Sequence, residues 1–263
     1  MGDLLVLWDV DGTLLNAGGV GGDLYETVFA QLFGCALEAF APMAGRTDRA
    51  IILETLEMAG ITQPRRYVDH FIWGLSEHAR SMSDAVAARG RALPGAVTAL
   101  AALATARVRE AQRVPAGVGA RGKPVSGSYG RPGGRPGRVR QSVLTGNVRK
   151  LAEVKLAALG LQAGLDLCIG AYGDDHEVRT ELVHVARRRA AAVHGRLPSD
   201  FDGPATVVVG DTPLDIEAAL AADARAVGVA TGGYRADQLA AAGAHAVLPD
   251  LSDTDLVTET LLA

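Results

Sequence analysis

The sequence predicts an α/β protein in which a parallel sheet is covered by helices on both faces and a smaller helical domain is inserted after the first strand. Short apolar segments alternate with helical patterns through the second half of the chain, as they do when crossover helices join parallel strands. An all-helical block at 16–90 directly follows the first apolar segment and has no place in that alternation. At 263 residues, the chain has room for one such core and one appended domain.

The first strand is predicted at Leu4–Trp8, an apolar run that ends at Asp9. The block that follows has apolar residues at helical spacing over 23–34, 48–59 and 64–89. We therefore assign 16–90 to the inserted helical domain, and 1–15 together with 91–263 to the core that contains the sheet.

The rest of the core begins after Leu93-Pro94-Gly95 with an Ala-rich helix that is predicted to run to about 106. Further strands are predicted at 141–144, 165–169, 206–209 and 226–229. Further helices are predicted at 149–159, 181–193, 213–222 and 236–242. The alternation of these two sets is typical of a parallel sheet covered on both sides.

A basic segment at 107–140 interrupts the core. It carries nine Arg or Lys and one acid, so it holds a charge of +8 in a chain whose net charge is −4, and the remainder holds −12. With eight Gly and four Pro it has too few bulky apolar groups to fold alone, which predicts a flexible loop or an irregularity of the sequence. Its Arg and Gly content also fits nucleic-acid binding, which we consider the weaker interpretation.

Composition excludes several other classes. Two cysteines make no disulfide framework, and no apolar stretch reaches the 18 or so residues that a membrane span needs. Asp3 stands where a secretory signal peptide has basic residues. We therefore expect a cytoplasmic protein without membrane association, either a monomer or a homodimer.

Three of the predicted strands end in polar residues. The first is followed by Asp9-Val10-Asp11-Gly12-Thr13, the second by Thr145-Gly146-Asn147, and the fourth by Gly210-Asp211-Thr212-Pro213-Leu214-Asp215. Because ligands of open parallel sheets bind at the carboxyl ends of the strands, we expect these residues to share one edge. Four carboxylates crowded together need a cation, and such an oxygen-rich set suits Mg²⁺.

The same residues predict phosphate chemistry. A metal-neutralised carboxylate can attack phosphorus and form an acyl phosphate. A second carboxylate two positions along the chain can protonate the leaving oxygen and then activate water. Thr145, with Gly146 and Asn147 after it, offers a hydroxyl group and backbone N–H groups to a phosphate. Each motif alone is also common in ordinary loops. The prediction of phosphate chemistry rests on the occurrence of all three motifs at strand ends.

These motifs resemble those of the haloacid dehalogenase (HAD) superfamily of phosphohydrolases, whose core is a Rossmann-like sheet. The resemblance covers 3–15 and 91–263 apart from the insert, and the block at 16–90 looks like the small cap of phosphoglycolate phosphatase-like members. It implies that Asp9 is the nucleophile and Asp11 the general acid and base. It further implies that Mg²⁺ is held by Asp9, the backbone carbonyl of Asp11 and Asp211, with Asp215 in support.

The superfamily's basic residue, normally Lys, has two candidates here. Lys155 has the usual side chain but lies mid-helix, 56 positions before Asp211. Arg179 lies 32 positions before Asp211 and opens the helix that precedes the fourth strand, so the spacing favours Arg179. Arg and Lys are not interchangeable in such a site.

We also expect the cap loop at Gly45-Arg46-Thr47-Asp48 to approach the substrate, with Arg46 and Thr47 as contacts for an anionic group. The alternative is that Thr47 or Asp48 caps the following helix. The sequence does not reveal which of the two applies.

The function expected from these residues is hydrolysis of a small phosphorylated metabolite by a Mg²⁺-dependent phosphatase. A phosphosugar mutase shares the motifs and would yield an isomerised product instead of free phosphate. A non-catalytic phosphate-sensing or nucleic-acid-binding protein is the alternative from another class, and the intact Asp9, Asp11, Asp211 and Asp215 argue against it.

Overall fold

The computed structural model of the chain describes residues 2–108 and 137–263. Its strands are β1 (Leu4–Trp8), β2 (Leu15–Asn16), β3 (Arg91–Ala92), β4 (Arg107–Val108), β5 (Gly137–Val143), β6 (Thr206–Gly210), β7 (Arg225–Val229) and β8 (Ala246–Leu248). Its α-helices are α1 (Val20–Phe33), α2 (Asp48–Met58), α3 (Val68–His78), α4 (Ser83–Arg89), α5 (Ala96–Thr105), α6 (Arg149–Ala158), α7 (Arg179–His194), α8 (Pro213–Ala221), α9 (Ala236–Ala241) and α10 (Thr254–Leu262).

Six of these strands form one sheet in the spatial order β4-β5-β1-β6-β7-β8. Strands β5, β1, β6, β7 and β8 pair in parallel, whereas β4 pairs antiparallel with the start of β5. Parallel neighbours need crossover connections, and α7, α8 and α9 supply them along the chain. The predicted fold class, a Rossmann-like α/β core, is confirmed.

The sheet is buried on both faces, and β1 shows why. All five of its side chains are buried, and they alternate between two hydrophobic clusters. Val6 and Trp8 join the cluster formed with α5, α6 and α10, whereas Leu5 and Leu7 join the one formed with α7, α8 and α9. A strand with helices on both sides has to be apolar throughout, as this one is.

Helices α1, α2 and α3 form a separate hydrophobic cluster beside the sheet. Leu24, Phe71 and Leu56 are fully buried in it, and Leu151 of α6 packs against it from the core. The chain enters and leaves this block through β2 and β3, which pair antiparallel with each other as a short ribbon. The helical block is therefore attached to the core by two adjacent chain segments.

The prediction of a strand at 165–169 is wrong. This segment forms turns, in which the Asp166 side chain accepts a hydrogen bond from the Cys168 backbone N–H at 3.0 Å. Asp side chains that bond to nearby backbone compete with sheet pairing in this way. Two residues beyond the segment, Ala171 forms an isolated bridge with Leu144.

The prediction of a flexible loop over 107–140 is wrong at both ends, because β4 and the start of β5 lie inside that range. Asp3 fixes the start of β5 by accepting hydrogen bonds from the Arg138 N–H and the Arg140 side chain, both at 2.9 Å. The remaining part of that prediction, 109–136, lies outside the described residues. Strand β8 and helix α10 were not predicted.

Among the described helices, none combines the length and apolar character that a membrane crossing requires.

Candidate active site

Three carboxylates meet at the carboxyl edge of the sheet. Asp9 follows β1, Asp211 follows β6, and Asp215 lies in the first turn of α8. All three are buried, and one oxygen from each lies within 4.8 Å of the others. The adjacent parallel strands β1 and β6 produce this meeting, because their ends lie at the same edge.

Arg179 is the cation that contacts this cluster. It opens α7, and its guanidinium donates to Asp9 Oδ1 at 2.8 Å and to Asp215 Oδ1 at 2.5 Å. Its Nε is buried and has no hydrogen-bond partner among the described residues. The side chain therefore still has a donor to offer to a ligand.

The electrostatics of the cluster fit a divalent cation. Three carboxylates face one guanidinium, which leaves two negative charges without compensation when all are ionised. Burial, with the charge of Asp215, raises the pKa of Asp9 well above its usual value, and burial raises the pKa of Asp211 to about 7. A hard cation such as Mg²⁺ suits this oxygen donor set and would relieve the repulsion.

Close packing holds Asp211 and Asp215 in place. Thr13 donates to Asp211 Oδ1 at 3.1 Å, and glycine stands at Gly12 and Gly232, where an added Cβ would overlap the Asp211 carboxylate. Asp215 accepts from the backbone and hydroxyl groups of Thr212 at 3.0 and 2.7 Å. The carboxylate of Asp215 thus caps α8 while its other oxygen faces Arg179.

Asp11 belongs to a second, adjoining group. Its Oδ2 accepts from Asn147 Nδ2 at 2.6 Å and from Lys155 Nζ at 2.7 Å, and Lys155 also donates to Asn147 Oδ1 at 2.7 Å. The Asp11 carboxylate is not part of the three-carboxylate cluster. Both candidate basic residues therefore reach the site, with Arg179 at Asp9 and Lys155 at Asp11.

Thr145 lies at the end of β5, fully buried. Its hydroxyl oxygen accepts from the Asn147 backbone N–H at 3.3 Å and from Asn147 Nδ2 at 2.8 Å. These bonds fold residues 145–147 into a tight turn before α6. Thr145, Gly146 and Asn147 all line the same cavity as Asp9.

The cap loop docks on this turn. The Asp48 N–H donates to the Gly146 carbonyl at 2.7 Å, and an added Cβ at Gly146 would overlap the Arg46 carbonyl. Arg46 lines the cavity, where it pairs with Glu54 at 2.5 Å. Thr47 does not line that cavity, because its hydroxyl caps α2 and donates to the Glu177 carbonyl at 2.7 Å. The position of Thr47 therefore does not support the substrate contact that we expected of it.

The cavity between cap and core measures about 490 Å³ and is bordered by Tyr25 and Arg91, which the sequence did not single out, and by Asp48 of the expected cap loop. Tyr25 and Asp48 are buried there, and the Tyr25 hydroxyl donates to Asp48 Oδ1 at 2.7 Å. Asp48 Oδ2 accepts the Val148 N–H at 2.6 Å, and burial raises the pKa of Asp48 to about 6. Arg91 of the ribbon also faces this space. No local motif marks these residues, because packing of cap on core brings them together.

Comparison with known proteins supports the resemblance of the motifs. Residues 181–254 match the family described as HAD-hydrolase-like. None of the curated protein sequences matches the chain. Solved structures match over nearly the whole chain, at identities that establish the fold alone.

Three of these structures are representative. A hydrolase from Pseudomonas syringae is 17% identical, with a TM-score of 0.60 over 98% of this chain and 99% of its own. A protein described as a predicted phosphatase from Clostridium acetobutylicum is 15% identical, with a TM-score of 0.59 over 100% of both chains. A protein from Thermotoga maritima, provisionally named a β-phosphoglucomutase, is 17% identical, with a TM-score of 0.52 over 99% of both chains. The chain therefore shares its fold with these structures and matches the HAD-hydrolase-like family over residues 181–254.

Proposed function

We propose that the protein is a Mg²⁺-dependent phosphatase that hydrolyses a small phosphomonoester through an aspartyl phosphate on Asp9. The observation that carries this proposal is the setting of Asp9. It is a buried carboxylate on the wall of a cavity, held by Arg179 at 2.8 Å and grouped with two further carboxylates. The setting supplies a fixed nucleophile and an excess of negative charge that a divalent cation can compensate.

In the first step, a carboxylate oxygen of Asp9 attacks phosphorus and the bond from phosphorus to the ester oxygen breaks. Asp11 donates a proton to the departing alcohol oxygen. Asn147 and Lys155 hold the Asp11 carboxyl group from one side, at 2.6 and 2.7 Å, so its orientation is set before substrate binds. Asp9 is then esterified to the phosphoryl group.

In the second step, Asp11 accepts a proton from a water molecule, whose oxygen attacks phosphorus. The bond between phosphorus and Asp9 breaks, which releases inorganic phosphate and restores both carboxyl groups to their starting states. Asp11 acts first as acid and then as base, so one residue serves both steps.

Charge on the phosphoryl oxygens is shared among several groups. Asp9, Asp211 and the Asp11 carbonyl would hold Mg²⁺, with Asp215 in support, and the cation would supply electrostatic stabilisation of the transferred group. Arg179 offers its unpartnered Nε–H, and the turn at Thr145 and Gly146 offers hydroxyl and backbone donors. Removal of any one of these donors weakens binding of the transition state more than binding of the ester.

The helical block at 16–90 is proposed as a cap that closes over the ester and excludes water. Its support is the position of Tyr25, Arg46 and Asp48, which face the same cavity as Asp9 from the opposite side. A cavity of about 490 Å³ fits a small metabolite, so nucleic acid is not the expected partner.

The descriptions of the similar structures support hydrolysis and leave a phosphosugar mutase as the second candidate function. The structures from Pseudomonas syringae and Clostridium acetobutylicum are described as a hydrolase and a phosphatase, whereas the one from Thermotoga maritima is provisionally named a mutase. A mutase returns the phosphoryl group to the sugar and releases no net phosphate. The product therefore separates the two functions.

The test is a panel of phosphomonoesters incubated with the purified protein, with Mg²⁺ and with EDTA, and followed by ³¹P NMR. The proposal predicts free phosphate that requires Mg²⁺. A product that is an isomer of the starting ester would establish the mutase instead. Absence of any new phosphorus signal over the whole panel would contradict both.

A further inference from the structure

One basic side chain that lines the cavity has no acidic partner among the described residues. The basic residues that line it are Arg46, Arg91, Lys155 and Arg179. Three of them are paired with a carboxylate: Arg46 with Glu54, Lys155 with Asp11, and Arg179 with Asp9 and Asp215. Within residues 2–108 and 137–263, the side chain of Arg91 has no hydrogen-bond acceptor or ion-pair partner.

The ribbon directs Arg91 towards the cavity. Leu15 pairs with Ala92 and Asn16 pairs with Arg91, and directly paired residues of two antiparallel strands project to the same face. Leu15 is fully buried in the core cluster, against which Ala92 packs. Because successive side chains alternate, Asn16 and Arg91 take the opposite face, where both line the cavity.

The backbone that carries Arg91 is fixed close to the catalytic loop. The Gly12 N–H donates to the Leu15 carbonyl at 2.8 Å, and the Leu93 N–H donates to the Leu14 carbonyl at 2.9 Å. Neighbouring strands lie about 4.8 Å apart, so the ribbon places Arg91 only two chain segments from the loop that holds Asp11. A ligand bound at Asp9 and Asp11 needs little length to reach Arg91.

The adjoining wall leaves room for such a ligand. Gly19, Gly21 and Gly22, at the start of α1, line the cavity without side chains. A Cβ added at Gly19 or Gly21 would meet nothing within 4 Å, so this part of the cavity is open. This open part belongs to the same cavity as Arg91 and the acidic cluster.

We propose that Arg91 determines specificity by binding a second anionic group of the substrate, so that the preferred esters are small phosphomonoesters that also carry a carboxylate or a second phosphate. This proposal rests on the phosphatase function proposed above. A guanidinium pairs with either anion through two parallel N–H donors, and an ester without a second anionic group leaves that capacity unused. Arg91 contacts the part of the substrate that does not react, so its effect falls on KM.

The experiment compares matched esters that differ in the second anion. The pairs are 2-phosphoglycolate with ethyl phosphate, and propane-1,3-diol bisphosphate with propyl phosphate. The wild-type protein is expected to prefer the doubly anionic member, and Arg91→Gln is expected to raise its KM by ~10- to 100-fold, since a charge-assisted hydrogen bond contributes about 1.5–3 kcal/mol. The KM of the member with the phosphate as its single anionic group should change by less than about twofold.

Two further variants serve as controls. Arg91→Lys keeps the charge without the fork of donors, and should restore part of the preference. Arg80→Gln removes one positive charge from an exposed cap residue that does not line the cavity, and should leave both members unchanged.

The results separate the two proposals. Equal losses for both members of a pair, or a wild type that does not prefer the doubly anionic member, would overturn the role of Arg91 while phosphate release still supports a phosphatase. If no ester, including p-nitrophenyl phosphate, releases phosphate, the phosphatase function fails. Calorimetric titration of the same pairs into Asp9→Asn and Asp9→Asn/Arg91→Gln then decides on Arg91, because its proposal requires the second substitution to weaken 2-phosphoglycolate or the bisphosphate selectively.

Discussion

The surroundings of Asp9 and Asp211 raise the pKa of both carboxyl groups in the folded protein. Burial and the charge of Asp215 raise the pKa of Asp9, and burial raises that of Asp211 to about 7. In the unfolded chain both would titrate near 4. Between about pH 4 and pH 7, the metal-free folded state therefore binds more protons than the unfolded state. Its free energy of unfolding falls as pH rises through this range.

This protonation predicts a pH-dependent affinity for Mg²⁺. A cation competes with protons for these carboxylates, and the pKa of Asp211 is about 7, so we expect tighter binding at about pH 8 than at about pH 6. Calorimetric titration of Mg²⁺ at both pH values measures the effect, together with proton release into the buffer. Asp211→Asn should lose most of the affinity, and a wild-type affinity that does not vary with pH would contradict the assignment of these carboxylates as ligands.

Arg179 and Lys155 contact different carboxylates, so we expect their substitution to have different effects on stability. Arg179→Met leaves Asp9 and Asp215 buried without their cation, and we expect a loss of about 3 kcal/mol in the free energy of unfolding without Mg²⁺. Urea denaturation measures it, and Mg²⁺ should recover part of the loss because it also neutralises the cluster.

Lys155→Met is the matched comparison. Its partner Asp11 has a side chain that is 39% exposed, so water can replace the lost cation and the cost in stability should be smaller than for Arg179→Met. Turnover should still fall, because Asp11 loses one of the two groups that orient it. A larger loss of stability for Lys155→Met than for Arg179→Met would contradict this division.

At the scale of elements, the start of α2 is the joint between cap and core. Asp48 accepts hydrogen bonds from Tyr25 of α1 and from the N–H of Val148, next to α6, at 2.7 and 2.6 Å. One buried carboxylate thereby connects two cap helices to the turn that contains Thr145. We therefore expect a movement of the cap to be transmitted to the catalytic edge through Asp48.

Asp48 also makes the stability of the joint depend on pH. Burial raises its pKa to about 6, so the folded state binds this proton more tightly than the unfolded state, and its contribution to stability decreases as pH rises from about 4 to 6. Asp48→Asn should abolish that decrease, so the variant gains stability relative to wild type as pH rises over this interval. Urea denaturation at about pH 5 and pH 7 measures the difference.

Tyr25→Phe is the control for this prediction. It removes a hydroxyl group that lowers the pKa of Asp48 while keeping the carboxyl group, so the pH dependence should persist and extend to higher pH. A difference between Asp48→Asn and wild type that stays constant with pH would show that folding does not raise the pKa of Asp48.

For the molecule as a whole, the sequence was sufficient to predict the catalytic edge, because the polar residues there directly follow the strands of the parallel sheet. Asp9, Thr145 and Asp211 each follow a short apolar run, and the parallel order of the strands brings such ends to one edge. Lys155 shows the limit of this reasoning. It lies inside α6, where its spacing suggested a poor fit, and only the packing of α6 directs its ammonium group to Asp11.

The cap contacts could not be predicted in the same way. Tyr25 and Asp48 are distant in sequence from the strand ends, and they reach the cavity because the helical block packs on the core, whereas Arg91 reaches it from the ribbon. At 165–169 the apolar pattern indicated a strand, but the Asp166 side chain and local turns prevail over it. The local sequence pattern therefore predicted the catalytic edge, whereas tertiary packing determines which cap and ribbon residues line the cavity.

The central claim is that Asp9 carries the phosphoryl group, and the most direct measurement is phosphate release by Asp9→Asn with Mg²⁺ present. The account predicts less than ~1% of wild-type turnover, since the amide cannot act as the nucleophile while the fold is kept. Asp237→Asn, an exposed Asp on α9, is the matched control and should retain full activity. Turnover of the Asp9→Asn protein above about a tenth of wild type would contradict the assignment.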